Sequence, residues 1–124
     1  MMYKDAVEAI EAVVTRYFKG IYEGDISKLQ AVFEERVLIY GDMNNGIPYC
    51  KSVQEYLEGV KARQSPSELG EAFLMKIIGI EIIGNTAIVK AHVPMLGYNY
   101  YDFLSLTIID GDWKIVNKLF AHVA

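Results

Sequence analysis

Apolar residues recur at helical spacing along the first half of the chain and alternate with polar residues along the second half. The apolar positions that share one helical face in the first segment are Val7, Ile10, Val14, Tyr17, Phe18 and Ile21. This spacing predicts an amphipathic helix, and Gly24 is typical of the residue that follows a helix. Asp25 predicts the N-cap of a short second helix. Ser52 and Glu55 form the pattern of a capping box, which predicts a third helix that reaches about Arg63.

From Glu71 onward the apolar period becomes that of β-strands. The predicted long strands span 71–83, 86–93, 98–109 and 113–123, and two short strands span 37–40 and 47–50. Pro94 is expected to end the second long strand, and Gly79 is expected to mark a bulge in the first. Asp110-Gly111 predicts the tight turn of the last hairpin. The pattern therefore predicts a single α+β domain over residues 1–124, with three N-terminal helices packed on one face of a strongly curved antiparallel sheet.

Strand alternation also predicts which side chains face the helices. The apolar positions expected to face inward on the second long strand are Ala87, Val89, Ala91 and Val93. On the third strand, Tyr100 and Asp102 share the inward row with Leu104. On the last strand, Asn117 shares the inward row with Ile115. A buried polar group without a hydrogen bond costs about 1–3 kcal/mol, so Asp102 and Asn117 are expected to have partners or to face a solvated pocket.

The composition contains more apolar residues than one small domain readily buries. The hydrophobic fraction is 52 % and nine residues are tyrosines, whereas globular chains average about 45–50 % apolar residues. We therefore expect the excess to line a cavity or to be covered in a homodimer. A net charge of −4 without a Lys/Arg cluster argues against nucleic acid as a partner.

Several common classes of protein are disfavoured by individual residue types. A single cysteine, Cys50, rules out an internal disulfide. The acidic N-terminal segment is unlike a signal peptide and no apolar run is long enough to span a membrane, so we expect a cytoplasmic protein without membrane contact. His92 and His122 have no acidic neighbours at metal-ligand spacing, so we expect neither a metal nor a cofactor.

Two segments resemble the nuclear transport factor 2-like superfamily, which has a cystatin-like α+β fold and includes ketosteroid isomerases and polyketide cyclases. They are the helix pair VVTRYFKGIYEGDISKLQAVFEE (13–35) and the closing hairpin YYDFLSLTIIDGDWKIVNKLF (100–120). The hairpin is similar, more narrowly, to the putative lumazine-binding proteins. The resemblance implies a cone with an internal pocket between the helices and the concave face of the sheet, and a homodimer formed through the outer sheet face.

The isomerases offer a residue-by-residue comparison. Arg16-Tyr17 ahead of Gly24-Asp25 matches the context of their oxyanion tyrosine. Their general-base aspartate falls on Gly41, beside Asp42, and a shift of one residue in a strand turns a side chain to the opposite face. Their second oxyanion acid has no counterpart, because Asp102 lies several residues too early. Steroid isomerase activity is therefore not expected.

Three functional hypotheses follow. The first is a protein that binds a planar, moderately polar small molecule through Tyr17, Tyr40, Tyr100 and Asn117, with Asp102 fixing its orientation. The second is an isomerase, dehydratase or cyclase that uses Asp102 or Asp42 as general base and Tyr17 as oxyanion donor. The third is a non-catalytic dimeric interaction module whose interior is filled by its own side chains. 

Four of the candidate residues also have a structural interpretation. Tyr17 fits a packing tyrosine, Asp42 a solvated turn residue and Asn117 a satisfied core amide. Asp102 fits a strand-end carboxylate that accepts hydrogen bonds from a neighbouring loop or from Tyr100. The pattern leaves open whether the loop from Gly41 to Gly46 closes over the pocket.

Overall fold

The computed structural model describes residues 3–124, which form three helices and a curved, unclosed sheet of six strands. The helices are α1 (Tyr3–Glu23), α2 (Ile26–Val32) and α3 (Val53–Ala62). The strands are β1 (Leu38–Asp42), β2 (Pro48–Ser52), β3 (Lys76–Ile83), β4 (Thr86–Met95), β5 (Tyr98–Ile109) and β6 (Asp112–His122). The strand order is β2-β1-β6-β5-β4-β3. The predicted α+β class is confirmed.

One strand pair departs from the predicted antiparallel arrangement. β1 pairs with β6 in parallel, whereas every other neighbouring pair is antiparallel. A hairpin forces its two strands to run in opposite directions, but β1 and β6 are separated by most of the chain and no hairpin joins them. The sheet is therefore mixed, and this pair joins the short β1–β2 hairpin to the long β3–β6 meander.

The helix boundaries follow the predicted caps. Gly24 has a φ of 68° directly after α1, and the Asp25 carboxylate accepts hydrogen bonds from the backbone N–H groups of Ser27 and Lys28 at the start of α2. At the start of α3, the Ser52 hydroxyl and the Glu55 carboxylate each accept a backbone N–H of the other residue, at 3.1 and 3.0 Å. The buried face of α1 packs against the inner face of the sheet in one contiguous core.

Two predicted strand ends were wrong. β3 begins at Lys76 rather than Glu71, because the Glu71 carboxylate instead accepts the backbone N–H of Leu96 at 3.0 Å in the turn between β4 and β5. β4 continues through Pro94, which pairs with Asn99 of β5. The β3 partner of β4 ends opposite His92, so β4 is a sheet edge at Pro94, where a missing N–H breaks no ladder.

A bulge in β6 changes which side chains face inward. β5 residue Ser105 pairs with Asn117, but the next residue pairs with Ile115, which leaves Val116 as an extra residue in β6. The extra residue moves every later side chain to the opposite face. Lys118 is therefore buried, and Asn117 lies on the outer face, contrary to the predicted inward position.

The outer sheet face carries a row of exposed apolar side chains across three neighbouring strands. Tyr40 of β1 pairs with Leu119 of β6, which in turn pairs with Phe103 of β5. These three side chains are 44 %, 46 % and 45 % exposed. We call them the outer row.

Candidate functional site

A partly enclosed cavity of about 160 Å³ lies between the helices and the inner face of the sheet. Its walls include the apolar side chains of Ile21, Val93 and Met95, and the ring of Phe120. Its buried polar groups are Tyr56, Asp102 and Lys118. Four half-buried residues complete the lining and form its rim: Met43, Tyr49, Arg63 and Tyr100.

Asp102 is the buried acid of this cavity. Its side chain is only 3 % exposed, and one carboxylate oxygen accepts a hydrogen bond of 2.5 Å from the Tyr17 hydroxyl. Burial raises the pKa of Asp102, and the positive charge of Lys118 and the Tyr17 hydrogen bond oppose that rise. Burial and the neighbouring carboxylate also raise the pKa of Tyr17 well above its usual value. Tyr17 therefore stays protonated and holds the Asp102 carboxylate in place.

Lys118 projects into a cage of aromatic rings. Its ammonium donates a hydrogen bond of 3.0 Å to the Tyr56 hydroxyl and lies 4.4 Å from the Tyr56 ring centre, 5.1 Å from that of Tyr17 and 5.5 Å from that of Phe120. Cation–π attraction offsets part of the cost of burying such a charge. Because the Tyr56 hydroxyl accepts this bond, its own proton is available for a second bond in the cavity.

Arg63 follows directly after α3 and brings a second cation to the rim. Its Nη2 atom is buried and has no hydrogen-bond partner within residues 3–124. The pKa of Tyr100 is raised by burial to about 12, and the Arg63 charge is the largest effect opposing that rise. The positive charge of Arg63 therefore lowers the pKa of a tyrosine in the cavity lining.

The rim is a cluster of aromatic rings that stay neutral. Phe120 packs edge-on against Tyr49 and Tyr100, with ring centres 5.0 and 5.5 Å apart. Burial raises the pKa of Tyr49 to about 12, as it does for Tyr100. Both hydroxyl groups are therefore protonated near neutral pH and can donate hydrogen bonds.

The predicted site residues divide into two groups. Tyr100 and Asp102 line the cavity, and Tyr17 reaches it through its bond to Asp102. Tyr40 and Asn117 do not line the cavity, contrary to the prediction. Tyr40 belongs to the outer row, and Asn117 lies on the same outer face of the sheet.

Asp42 lies outside the cavity as well. Its side chain is exposed at the end of β1, where its carboxylate accepts the backbone N–H of Asn44 at 2.8 Å. Aspartate side chains commonly make this bond to the backbone two residues further on in turns.

No pattern in the sequence marks Lys118 and Phe120 as the inward residues of the second half of β6. Leu119 and Phe120 are both apolar, so alternation alone does not choose between the two faces, and the bulge at Val116 decides it. Phe120 and Gly41 are paired across the β1–β6 seam, and a Cβ atom at position 41 would overlap the Phe120 ring. The Phe120 ring thus occupies the space into which a side chain at position 41 would project.

Within residues 3–124, no three His, Cys, Asp or Glu side chains lie close enough together to hold a metal ion. No helix among the same residues is both long enough and apolar enough to cross a membrane.

Residues 5–121 match the model of the family described as "Putative lumazine-binding". The chain belongs to this family. Since the match includes both the helices and the whole sheet, it agrees with the resemblance of the two segments in the sequence. No curated protein matches this family member.

Solved structures called NTF2-like share the fold of this family member. A protein of unknown function from Shewanella baltica OS155, called NTF2-like, has a TM-score of 0.87 at 20 % identity, covering 100 % of this chain and 98 % of that one. An NTF-2 like protein of unknown function from Silicibacter pomeroyi DSS-3 has a TM-score of 0.85 at 20 % identity, covering 99 % and 100 %. The CaMKII hub of S. rosetta has a TM-score of 0.69 at 16 % identity, covering 94 % and 95 %. At these identities the likeness establishes the fold.

Proposed function

We propose that this protein binds a planar, moderately polar small molecule in the cavity between its helices and its sheet. The observation that carries the proposal is the lining itself, in which aromatic and aliphatic walls surround a few convergent polar groups. Ligand sites typically combine these features. The family description points to the same class of ligand.

The cavity volume sets the size of the enclosed part of the ligand. An apolar cavity of about 150 Å³ holds one benzene-sized ring, and the cavity here measures about 160 Å³. A ligand with two fused rings, such as lumazine, would place one ring inside and extend the other between Tyr49 and Tyr100 at the rim. Tyr56, Tyr100 and Asp102 would then supply its hydrogen bonds.

The binding proposal is tested by calorimetric titration of lumazine into wild-type protein and two matched variants. Val93→Phe adds a ring to the cavity wall, whereas Ile88→Phe adds one to the exposed outer face of the same strand. We expect wild type and Ile88→Phe to bind lumazine with the same affinity, and Val93→Phe to bind it at least tenfold more weakly. Equal affinity of all three proteins for lumazine would show that lumazine does not bind in the cavity.

Native mass spectrometry of freshly purified protein tests the proposal without choosing a ligand. A defined extra mass present on wild type and Ile88→Phe but absent from Val93→Phe would identify the natural occupant. A wild-type protein that carries no extra mass and binds no lumazine would contradict the proposal.

A second candidate function is proton transfer by Asp102, since this acid lines the cavity and its pKa is raised by burial. In this version Tyr17 holds the base in position, because its proton is already donated to Asp102. Incubation with 2-cyclohexenone in D2O would show deuterium entering next to the carbonyl faster than in buffer. The gain is expected to vanish in Asp102→Asn, and exchange at the buffer rate with wild type would remove this candidate.

We also propose that the protein is a cytoplasmic homodimer formed through the outer row. The support is the exposure of three apolar side chains on neighbouring strands. A structure of the same fold bears the name of a hub. Covering the row by a second copy would remove this apolar surface from water.

A further inference from the structure

One cation of the cavity has a buried nitrogen atom without a hydrogen-bond partner. Within residues 3–124, two buried side-chain nitrogens make no hydrogen bond, Arg63 Nη2 and Trp113 Nε1. Trp113 is uncharged and does not line the cavity, whereas Arg63 does. A buried donor left unpaired costs free energy, and more when it is charged. An acceptor brought by a ligand would recover that cost at Arg63.

The net charge of the cavity lining is positive, as is the charge of Arg63. Two cations, Arg63 and Lys118, face one acid, Asp102. Their sum is positive whether Asp102 is ionised or protonated. Lys118 has a hydrogen-bond acceptor in Tyr56, and Asp102 has a donor in Tyr17. Arg63 is therefore the ionic group of the cavity that has a buried atom without a partner among residues 3–124.

We infer that the ligand is a carboxylate-bearing ring whose anionic group pairs with Arg63 at the rim. This inference rests on the proposed binding function and adds the charge class of the ligand. A guanidinium presents several N–H donors in one plane and suits the planar carboxylate. The Asp102 carboxylate at the buried end repels a second anion, so the ring enters first and its carboxylate remains beside Arg63. The protonated hydroxyl of Tyr100 at the rim supplies a further donor.

Three probes of equal size test the charge preference by calorimetric titration: benzoate, the neutral benzamide and the cationic benzamidinium. We expect wild type to bind benzoate at least about tenfold more tightly than benzamide, and benzamidinium most weakly. Raising the salt concentration should reduce the preference for benzoate but not the affinity for benzamide.

Substitution of Arg63 separates charge recognition from folding. Arg63→Gln is expected to remove the preference for benzoate over benzamide, and Arg63→Lys should keep part of it. Arg36→Gln is the matched control, because Arg36 is exposed and pairs with Glu34. If Arg63→Gln does not fold, the wild-type probe series and Arg63→Lys still decide the outcome.

The outcomes distinguish this inference from the proposed function. Equal binding of benzoate and benzamide to wild type would overturn the carboxylate assignment and leave the binding function intact. A benzoate preference that survives in Arg63→Gln would remove Arg63 from the recognition. Binding of none of the three probes would count against both the cavity as a ligand site and its charge class.

Discussion

Asp102 combines two opposing influences on a single carboxyl group. Its burial disfavours the charged form, while the hydrogen bond from Tyr17 and the charge of Lys118 favour it. Without these two partners the pKa of Asp102 would be higher still, so they partly restore the acidity of the carboxyl group. Lys118 and Tyr17 thus each lower the pKa of Asp102, and the effect of each can be measured separately.

Tyr17→Phe should raise the pKa of Asp102 further, because the substitution removes a hydrogen bond to the charged form. The free energy of unfolding is expected to fall by about 1–3 kcal/mol, since one carboxylate oxygen loses its buried partner. The pKa is measured by NMR titration of the 13C-labelled carboxyl, and the stability by urea denaturation. Tyr22→Phe removes a hydroxyl bonded to the Glu71 backbone carbonyl and should leave the Asp102 titration unmoved. An unchanged Asp102 pKa in Tyr17→Phe would contradict the tuning.

Asp102→Asn should change how stability depends on pH. The folded pKa of Asp102 lies above its ordinary value of 3.8, so between that value and the raised one the folded protein binds a proton that the unfolded chain has lost. The free energy of unfolding contributed by Asp102 therefore falls as the pH rises through this window. Urea denaturation at a series of pH values should show wild type losing stability relative to Asp102→Asn across the window. Parallel profiles for the two proteins would contradict this sign.

At the level of the elements, the cavity depends on the register of one strand. The bulge at Val116 lets the turn-proximal half of β6 place Ile115 in the core and the other half place Lys118 and Phe120 in the cavity. The parallel pairing with β1 then sets Phe120 against Gly41. Because a glycine leaves room for the ring, the β1–β6 seam is tightly packed at this point.

Gly41→Ala should destabilise the protein by about 1–3 kcal/mol, because the added methyl group overlaps the Phe120 ring and forces the strands apart. Gly59→Ala is the matched control. Gly59 lies exposed in α3 with open space around it, so its replacement should stabilise the helix by about 0.5–1 kcal/mol. Urea denaturation measures both, and equal effects of the two substitutions would show that the seam is loosely packed.

The sequence predicted local features better than register. The caps at Asp25 and Ser52 and the turn at Asp110-Gly111 depend on neighbouring residues, so their residue types suffice to predict them. The face of Asp102 was also predictable, because β5 alternates without interruption from Tyr100 to Leu104. The face of Asn117 was not, since the bulge depends on how β6 fits β5 and leaves no mark in the β6 sequence. The inward position of Lys118 was therefore not predictable. Arg63 was predicted only as the end of α3, because helical spacing does not show which residue reaches a cavity.

The whole molecule has two sheet faces with different roles. The inner face packs on the helices and lines the cavity, while the outer face exposes Tyr40, Phe103 and Leu119. The tyrosine predicted to hold a ligand, Tyr40, is thus placed where a second copy would cover it. The cavity and the outer row lie on opposite faces of one sheet, so side chains of each can be substituted without altering the other.

Phe103→Glu should convert the proposed dimer into a monomer, because the substitution puts a charge into the outer row and leaves it without a partner. Sedimentation velocity at micromolar concentration measures the change, which is expected to halve the mass. Ile47→Glu provides the control, since Ile47 is exposed in the loop between β1 and β2, away from the outer row. A wild-type protein that sediments at 14.0 kDa would contradict the dimer.

The mixed sheet has a consequence for the order in which the molecule folds. The strands from β3 to β6 follow one another through short hairpins, whereas β1 meets β6 only after most of the chain has been closed into a loop. Loop closure is slow and costs chain entropy before any contact is made. We therefore expect the meander to form in the folding transition state and the β1–β6 seam to form after it. Met43 and Tyr49 belong to the β1–β2 hairpin, which joins the rest of the sheet through that seam. We therefore expect the cavity to be completed only when the seam forms.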